Sequence, residues 1–163
     1  MSRQRVPPQQ RPLPQGFTLV ELLVAVAVMG VLAVVAAPSM TALVNTYRVS
    51  STAGELTAAL QIARSEAVRR NARVSVCGNA ACTSTDWSEI VVVHSAPTAD
   101  DPAVIRSTGA SSGVSVTGPA NGIVFRPSGV INAQACVPLS NSYSQYAVTV
   151  MVSGLVSNAK GTC

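Results

Sequence analysis

The sequence predicts an α+β protein: a long N-terminal helix packed on a small head of antiparallel sheet. Three observations predict it. An apolar run from Leu19 to Ala37 has Glu21 as its only ionisable group. From Met40 to about Ala72 the chain is rich in alanine and other helix formers. After Asn71 short aliphatic runs alternate with turn residues. Composition narrows the class further. Of 163 residues, 48% are hydrophobic and only 11% charged, which excludes a disordered chain and falls below the roughly 25% charge of an ordinary soluble domain. The mean hydropathy of +0.37 comes mostly from the one apolar run; the remainder is polar and Ser/Thr/Gly-rich.

Residues 1–16, MSRQRVPPQQRPLPQG, hold Arg3, Arg5, Arg11, four prolines and no apolar period. Proline lacks the N–H a helix needs, so this segment reads as a leader outside the fold. Its arginines put it on the cytoplasmic side of a membrane. Without it, eight basic residues face seven acidic ones, so bulk charge gives little support to nucleic-acid binding. The following run is about 20 residues, enough for a helix to cross roughly 30 Å of hydrocarbon. A plain anchor, or a secretory signal peptide cut near Ala36-Ala37, would satisfy that hydropathy. Neither has a use for Glu21, whose carboxylate is costly inside hydrocarbon.

Gly16-Phe17-Thr18-Leu19-Val20-Glu21 resembles the processing site of type IV pilins and of the pseudopilins of type II secretion. The resemblance implies that a membrane-embedded prepilin peptidase cuts between Gly16 and Phe17 and methylates the new Phe17 amine. Glu21 then becomes the fifth residue of the mature chain. Cleavage creates a cation beside an apolar helix; that amine and Glu21 are both costly in hydrocarbon, and each is the other's natural partner. In the family the glutamate of an incoming subunit meets the amine of a neighbour, so the buried pair sets register. Pro38, at the far end of the run, is expected to kink or locally melt the helix. The implied organisation is a cleaved leader over 1–16, a transmembrane and assembly segment over 17–38, and a periplasmic head over 39–163 that includes the second half of the helix. The chain would cross the bacterial inner membrane once.

Within that second half, Leu56, Leu60, Ala63 and Ala67 form one apolar stripe at helical period. The stripe predicts packing against a sheet, with Glu55, Gln61, Arg64, Glu66, Arg69 and Arg70 mostly off it. Gly54 weakens the helix by about 1 kcal/mol relative to alanine. Ala63-Arg64-Ser65-Glu66-Ala67-Val68-Arg69-Arg70-Asn71 resembles the end of the long helix in the GspH/FimT branch of pilin-like proteins, the minor subunits. The arginines read as a solvated face, well placed for the dipole at a helix C-terminus.

Strands are predicted around Val74 and Val76, over 89–95, at Val104-Ile105, and over 114–117, 122–126 and 146–152. Gly118-Pro119, Asn121-Gly122 and Pro127-Ser128-Gly129 punctuate them as turns. Asp86-Trp87-Ser88 before an aliphatic run, and Val124-Phe125-Arg126-Pro127-Ser128-Gly129, also resemble the GspH/FimT branch. The glycine that often follows that tryptophan is absent here before Gly109.

Of four cysteines, Cys77, Cys82, Cys136 and Cys163, three pairings are possible, and an oxidising periplasm favours disulfides. The preferred pairing is Cys77–Cys82, closing a local loop, and Cys136–Cys163, tying down the C-terminal tail. One C-x4-C, two scattered cysteines and His94 make a poor zinc framework, so no metal or other cofactor is expected. His94, the one histidine, ends an aliphatic run and reads as structural. Asp100 and Asp101, between Pro97 and Pro102, read as a solvated turn. No nucleophile elbow, P-loop, zincin or dinucleotide motif is present. The chain is expected to be the substrate of an enzyme and to have no catalytic residue of its own.

The resemblance implies a minor pilin that primes or caps a type IV pilus. Its partners would be other minor and major pilins, the prepilin peptidase and inner-membrane lipid. An H-type pseudopilin of type II secretion is the alternative within the class; the two cysteine pairs and Asp86-Trp87-Ser88 resemble the pilus side more. A different alternative is DNA capture, which some FimT-like pilins achieve with a glycine-arginine-x-arginine pattern near the C-terminus. The matching stretch here, Gly154-Leu155-Val156-Ser157, lacks both arginines, which leaves Arg106, Arg126 and Lys160 as the candidate DNA contacts.

Overall fold

A computed structural model of the protein describes residues 16–95, 97 and 103–163; the side chains of 35–38 lie outside it. Most of the expected leader, the Pro38 side chain on which the expected kink depends, and the turn holding Asp100 and Asp101 therefore fall outside the described residues. The chain divides into two compact units, Met1–Ser39 and Met40–Cys163.

Helix α1 runs Leu19–Arg70. In the first unit the large apolar side chains of the described residues are exposed, Phe17 by 80% and Val34 by 77%. Among the described residues no single helix is long and apolar enough to cross a membrane, but Leu19–Val34 and Ser39–Arg70 together meet that test by length and composition.

In the second unit the predicted stripe is buried. Val49, Ala53, Leu56, Leu60, Ala63 and Ala67 all face the core. Thr52 is the polar member of this face; its hydroxyl donates to Arg48 C=O at 3.0 Å and accepts the Ser111 N–H at 3.2 Å, so burial leaves it satisfied. The helix stops at a left-handed Asn71, φ 50°, and the Ala72 N–H reaches back to Ala67 C=O at 3.2 Å. Asparagine supplies the conformation that glycine usually supplies at a helix end.

Among the described residues eight strands follow: β1 Val74–Cys77, β2 Glu89–His94, β3 Val104–Gly109, β4 Ser115–Val116, β5 Ile123–Phe125, β6 Ala135–Ser140, β7 Gln145–Val150 and β8 Val156–Lys160. They form two four-stranded sheets, ordered β3-β2-β1-β5 and β4-β6-β7-β8, with every pairing antiparallel. One core takes the helix stripe together with Val74, Val92 and Phe125 of the first sheet and Val137, Leu139 and Val148 of the second. Two strands were not predicted. β6 contains Pro138, a residue that argues against an inner strand. Here Pro138 accepts the Thr117 N–H at 3.2 Å and has no N–H to return, so the ladder to β4 ends at Val116–Leu139. β8 is a polar outer strand with no alternation to betray it.

Trp87 fastens one sheet to the other. Its backbone N–H donates to Val116 C=O at 3.0 Å, and its ring is fully buried. A Cβ on Gly118 would lie 2.2 Å from the indole, and one on Gly78 2.5 Å, so only glycine admits the ring at either position. β2 begins two residues later without needing the glycine often found after this tryptophan.

Candidate processing and assembly site

The functional residues expected near the N-terminus fall on the start of α1. Gly16, Phe17 and Thr18 precede its first residue, and all three are exposed. Nothing lies within 4 Å of a Cβ built on Gly16. The fold of this chain does not require glycine there, so any demand for it comes from another molecule.

Thr18 is the helix N-cap. The Glu21 N–H donates to Thr18 Oγ1 at 3.3 Å and the Leu22 N–H to Thr18 C=O at 3.2 Å. Threonine followed three residues later by glutamate is the spacing of a capping box, and an acid in the first turn suits the helix dipole. The cap therefore starts the helix one residue beyond Phe17 and puts Glu21 in its first turn. The sequence reading missed this structural role of Thr18, although its signal, T-x-x-E, is present.

The other singled-out residues lie elsewhere. Cys77 is bonded to Cys82 and Cys136 to Cys163. The first pair sits with Val91 and Val93 in a small second cluster; the second holds the tail beyond β8 to β6. His94 is buried at the end of β2, its backbone N–H on Ala103 C=O at 2.9 Å. The three cations weighed for DNA are not brought together. Arg106 is on β3 and Arg126 follows β5, at opposite edges of the first sheet, about 14 Å apart by strand spacing. Lys160 ends the outer strand of the second sheet. At the end of α1, Glu66 takes both Arg69 and Arg70: Arg69 Nε reaches Oε1 at 3.1 Å and Arg70 Nε reaches Oε2 at 2.6 Å. Hydrogen bonds from Arg69 and then Arg70 lower the Glu66 pKa from 4.5 to about 2.

Residues 52–155 match the family model of type II transport protein GspH, and residues 13–37 match the prokaryotic N-terminal methylation motif. The chain belongs to the GspH family. It is a subunit of the minor pilin and pseudopilin class. Solved GspH-like folds agree. The type IV minor pilin FimU of Pseudomonas aeruginosa is 18% identical, with a TM-score of 0.55 over 68% of this chain and 87% of that one. The minor pseudopilin EpsH from the type 2 secretion system of Vibrio cholerae is 14% identical, with a TM-score of 0.51 over 69% of this chain and 97% of that one. At such identities the likeness concerns the fold. No curated protein matches the chain by sequence. The methylation motif covers Gly16, Phe17, the Thr18 cap and Glu21, the residues at the start of α1.

Proposed function

We propose that the chain is a minor subunit of a type IV pilus. The prepilin peptidase cuts it between Gly16 and Phe17 and methylates the new amine. Residues 17–38 hold it in the inner membrane, and residues 39–163 form a periplasmic head. Glu21 meets the Phe17 amine of a neighbouring subunit and sets register with other minor and major pilins. One observation carries this reading. From Phe17 to Val34 every large apolar side chain is more than half exposed, with Glu21 in the first turn of the same helix. A helix apolar on all sides needs lipid or other helices around it, and its one carboxylate needs a cation. The protein is then the substrate of an enzyme, and no catalytic step is assigned to it.

The pilus side is chosen on the two disulfides and on Asp86-Trp87-Ser88. The description of the matched family favours a second reading, a pseudopilin of type II secretion. Deleting the gene and scoring twitching motility beside exoprotein secretion separates them. Lost twitching with normal secretion is expected; lost secretion with normal pili overturns the choice.

A further inference from the structure

The head carries a groove that the processing motif does not use. It lies between the last turns of α1 and the loop joining β7 to β8, has a volume of about 580 Å³, and is lined by Arg64, Val68, Arg69 and Leu155 among others. Beyond Tyr47, the large apolar residues exposed among the described residues are Val68, Val104, Tyr143, Met151, Val152 and Leu155. Val68 and Leu155 are groove walls, and Met151 and Val152 belong to the same loop. Apolar exposure gathered in one place, with a polar rim, marks an interaction surface.

The loop is held in shape without a partner. Arg64 Nη2 donates to Ser153 C=O at 3.1 Å. Gly154 sits at φ +78° with its Cα face so close to Gly129 that a Cβ would lie 2.1 Å from the Gly129 carbonyl oxygen. A preformed surface saves the ordering entropy of binding. The rim is basic: Arg64 and Arg69 line the groove, and the Glu66 carboxylate behind Arg69 is shared with Arg70.

We infer that this groove receives an aliphatic side chain bordered by carboxylate on the head of a neighbouring pilin-like subunit. The inference rests on the reading of the chain as an assembled subunit. The aliphatic floor fits an apolar anchor, and the excess of guanidinium fits carboxylate, which arginine grips through paired N–H groups. DNA fits less well. The walls offer no exposed aromatic face for a base, and Glu66 sets a negative charge among the arginines that would meet phosphate.

The test uses the full chain in its own host. A photo-activatable benzophenone amino acid replaces Leu155, and in a parallel strain Arg106 on the far edge of the first sheet. The expected result is a crosslink from position 155, and none from 106, to a processed pilin-like subunit. Its mapped peptide should hold Asp or Glu within a few residues of the attachment, and Arg69→Glu should weaken the crosslink at least fivefold while the head, though it loses the Arg69–Glu66 pair, stays folded at the assay temperature. Val68→Glu, at an exposed wall, should weaken it as strongly. A peptide without a carboxylate, indifference to both substitutions, or a crosslink to DNA overturns the inference. A chain cut at Gly16 and present in fibres but not crosslinked overturns the inference alone; a chain left uncut overturns it together with the reading it rests on. Subunits of a pilus or of a secretion system count equally, so the choice between those machines is tested separately.

Discussion

Leu22 and Leu60 lie in the same helix, yet the first is 60% exposed and the second 0%. Before Val34 the helix turns leucine, valine and methionine outward on every side. From Val49 onward it turns one stripe inward and covers that stripe with two sheets. The side chains hardly differ between the regions; what differs is where their cover comes from. The head supplies its own, so its stability is internal and should be readable as a melting temperature. On the proposed function the first unit takes its cover from outside, so defects there should appear as failed processing or assembly while the head stays folded. Substitutions can break this division in either direction.

The largest effect is expected at Gly16. A Cβ there meets nothing among the described residues, so Gly16→Val should leave folding untouched while, on the proposed function, the full-length precursor accumulates in the inner membrane, because a peptidase cutting there must approach the backbone closely. N-terminal sequencing decides; a mature start near Pro38 would favour a secretory signal peptide. Next is Glu21→Leu. Insertion should become easier, cleavage should persist, and assembly should fail, since a neighbour's amine left unpaired in an apolar site costs about 3–5 kcal/mol. The variant should accumulate as a processed, membrane-held monomer absent from sheared fibres. Wild-type incorporation would show that this subunit does not use the charge pair.

In the head the disulfides should dominate. The chain-entropy relation assigns about 3.5 kcal/mol to Cys136–Cys163 and about 2 kcal/mol to Cys77–Cys82. Cys136→Ser should therefore lower head stability more than Cys82→Ser in urea titration, with processing normal in both. A larger loss from Cys82→Ser would mean that the local loop, not the tail, limits stability.

How far these features can be read from sequence follows from how local their physics is. The helix stripe at Leu56, Leu60, Ala63 and Ala67 repeats within a dozen residues, and all four are buried. The candidate processing residues lie in one short run. β6 is hidden because Pro138 forbids a ladder donor, and only the stopping point of β4 makes that harmless. β8 is hidden because an outer, solvated strand needs no apolar alternation. The Trp87 slot joins Gly78 to Gly118, and the groove joins Arg64 to Ser153, which are 89 residues apart. No window along the chain contains either. Arg106, Arg126 and Lys160 show the converse: cations that a sequence can gather on paper are separated by the sheets.

The Thr18 cap gives a smaller effect, and it tests whether the first unit has any internal stability at all. Thr18→Ala removes the acceptor for the Glu21 N–H, a change worth about 1 kcal/mol at a helix N-terminus. Head melting should not move. Helix fraying at Leu19–Glu21 should slow incorporation into fibres moderately, and Thr18→Ser should restore it. Equal incorporation of all three proteins would mean that the surrounding lipid or subunits hold the helix start without the cap.

The smallest effect belongs to the head. Arg69 and Arg70 hold Glu66 at a pKa of about 2, below its ordinary 4.5. A carboxylate depressed by folding contributes stability that is fully present above the unfolded value and is lost as pH falls from about 4.5 through about 2. Glu66→Gln should therefore lower the head's Tm at pH 7 by at most about 4 °C, as befits a partly solvated pair. The gap should narrow below pH 4.5 and close as pH falls through about 2, where wild type becomes protonated as well. Salt should narrow it at pH 7. A gap unchanged between pH 7 and pH 2 would assign the loss to packing at the helix end and not to the charge that Glu66 shares with its two arginines.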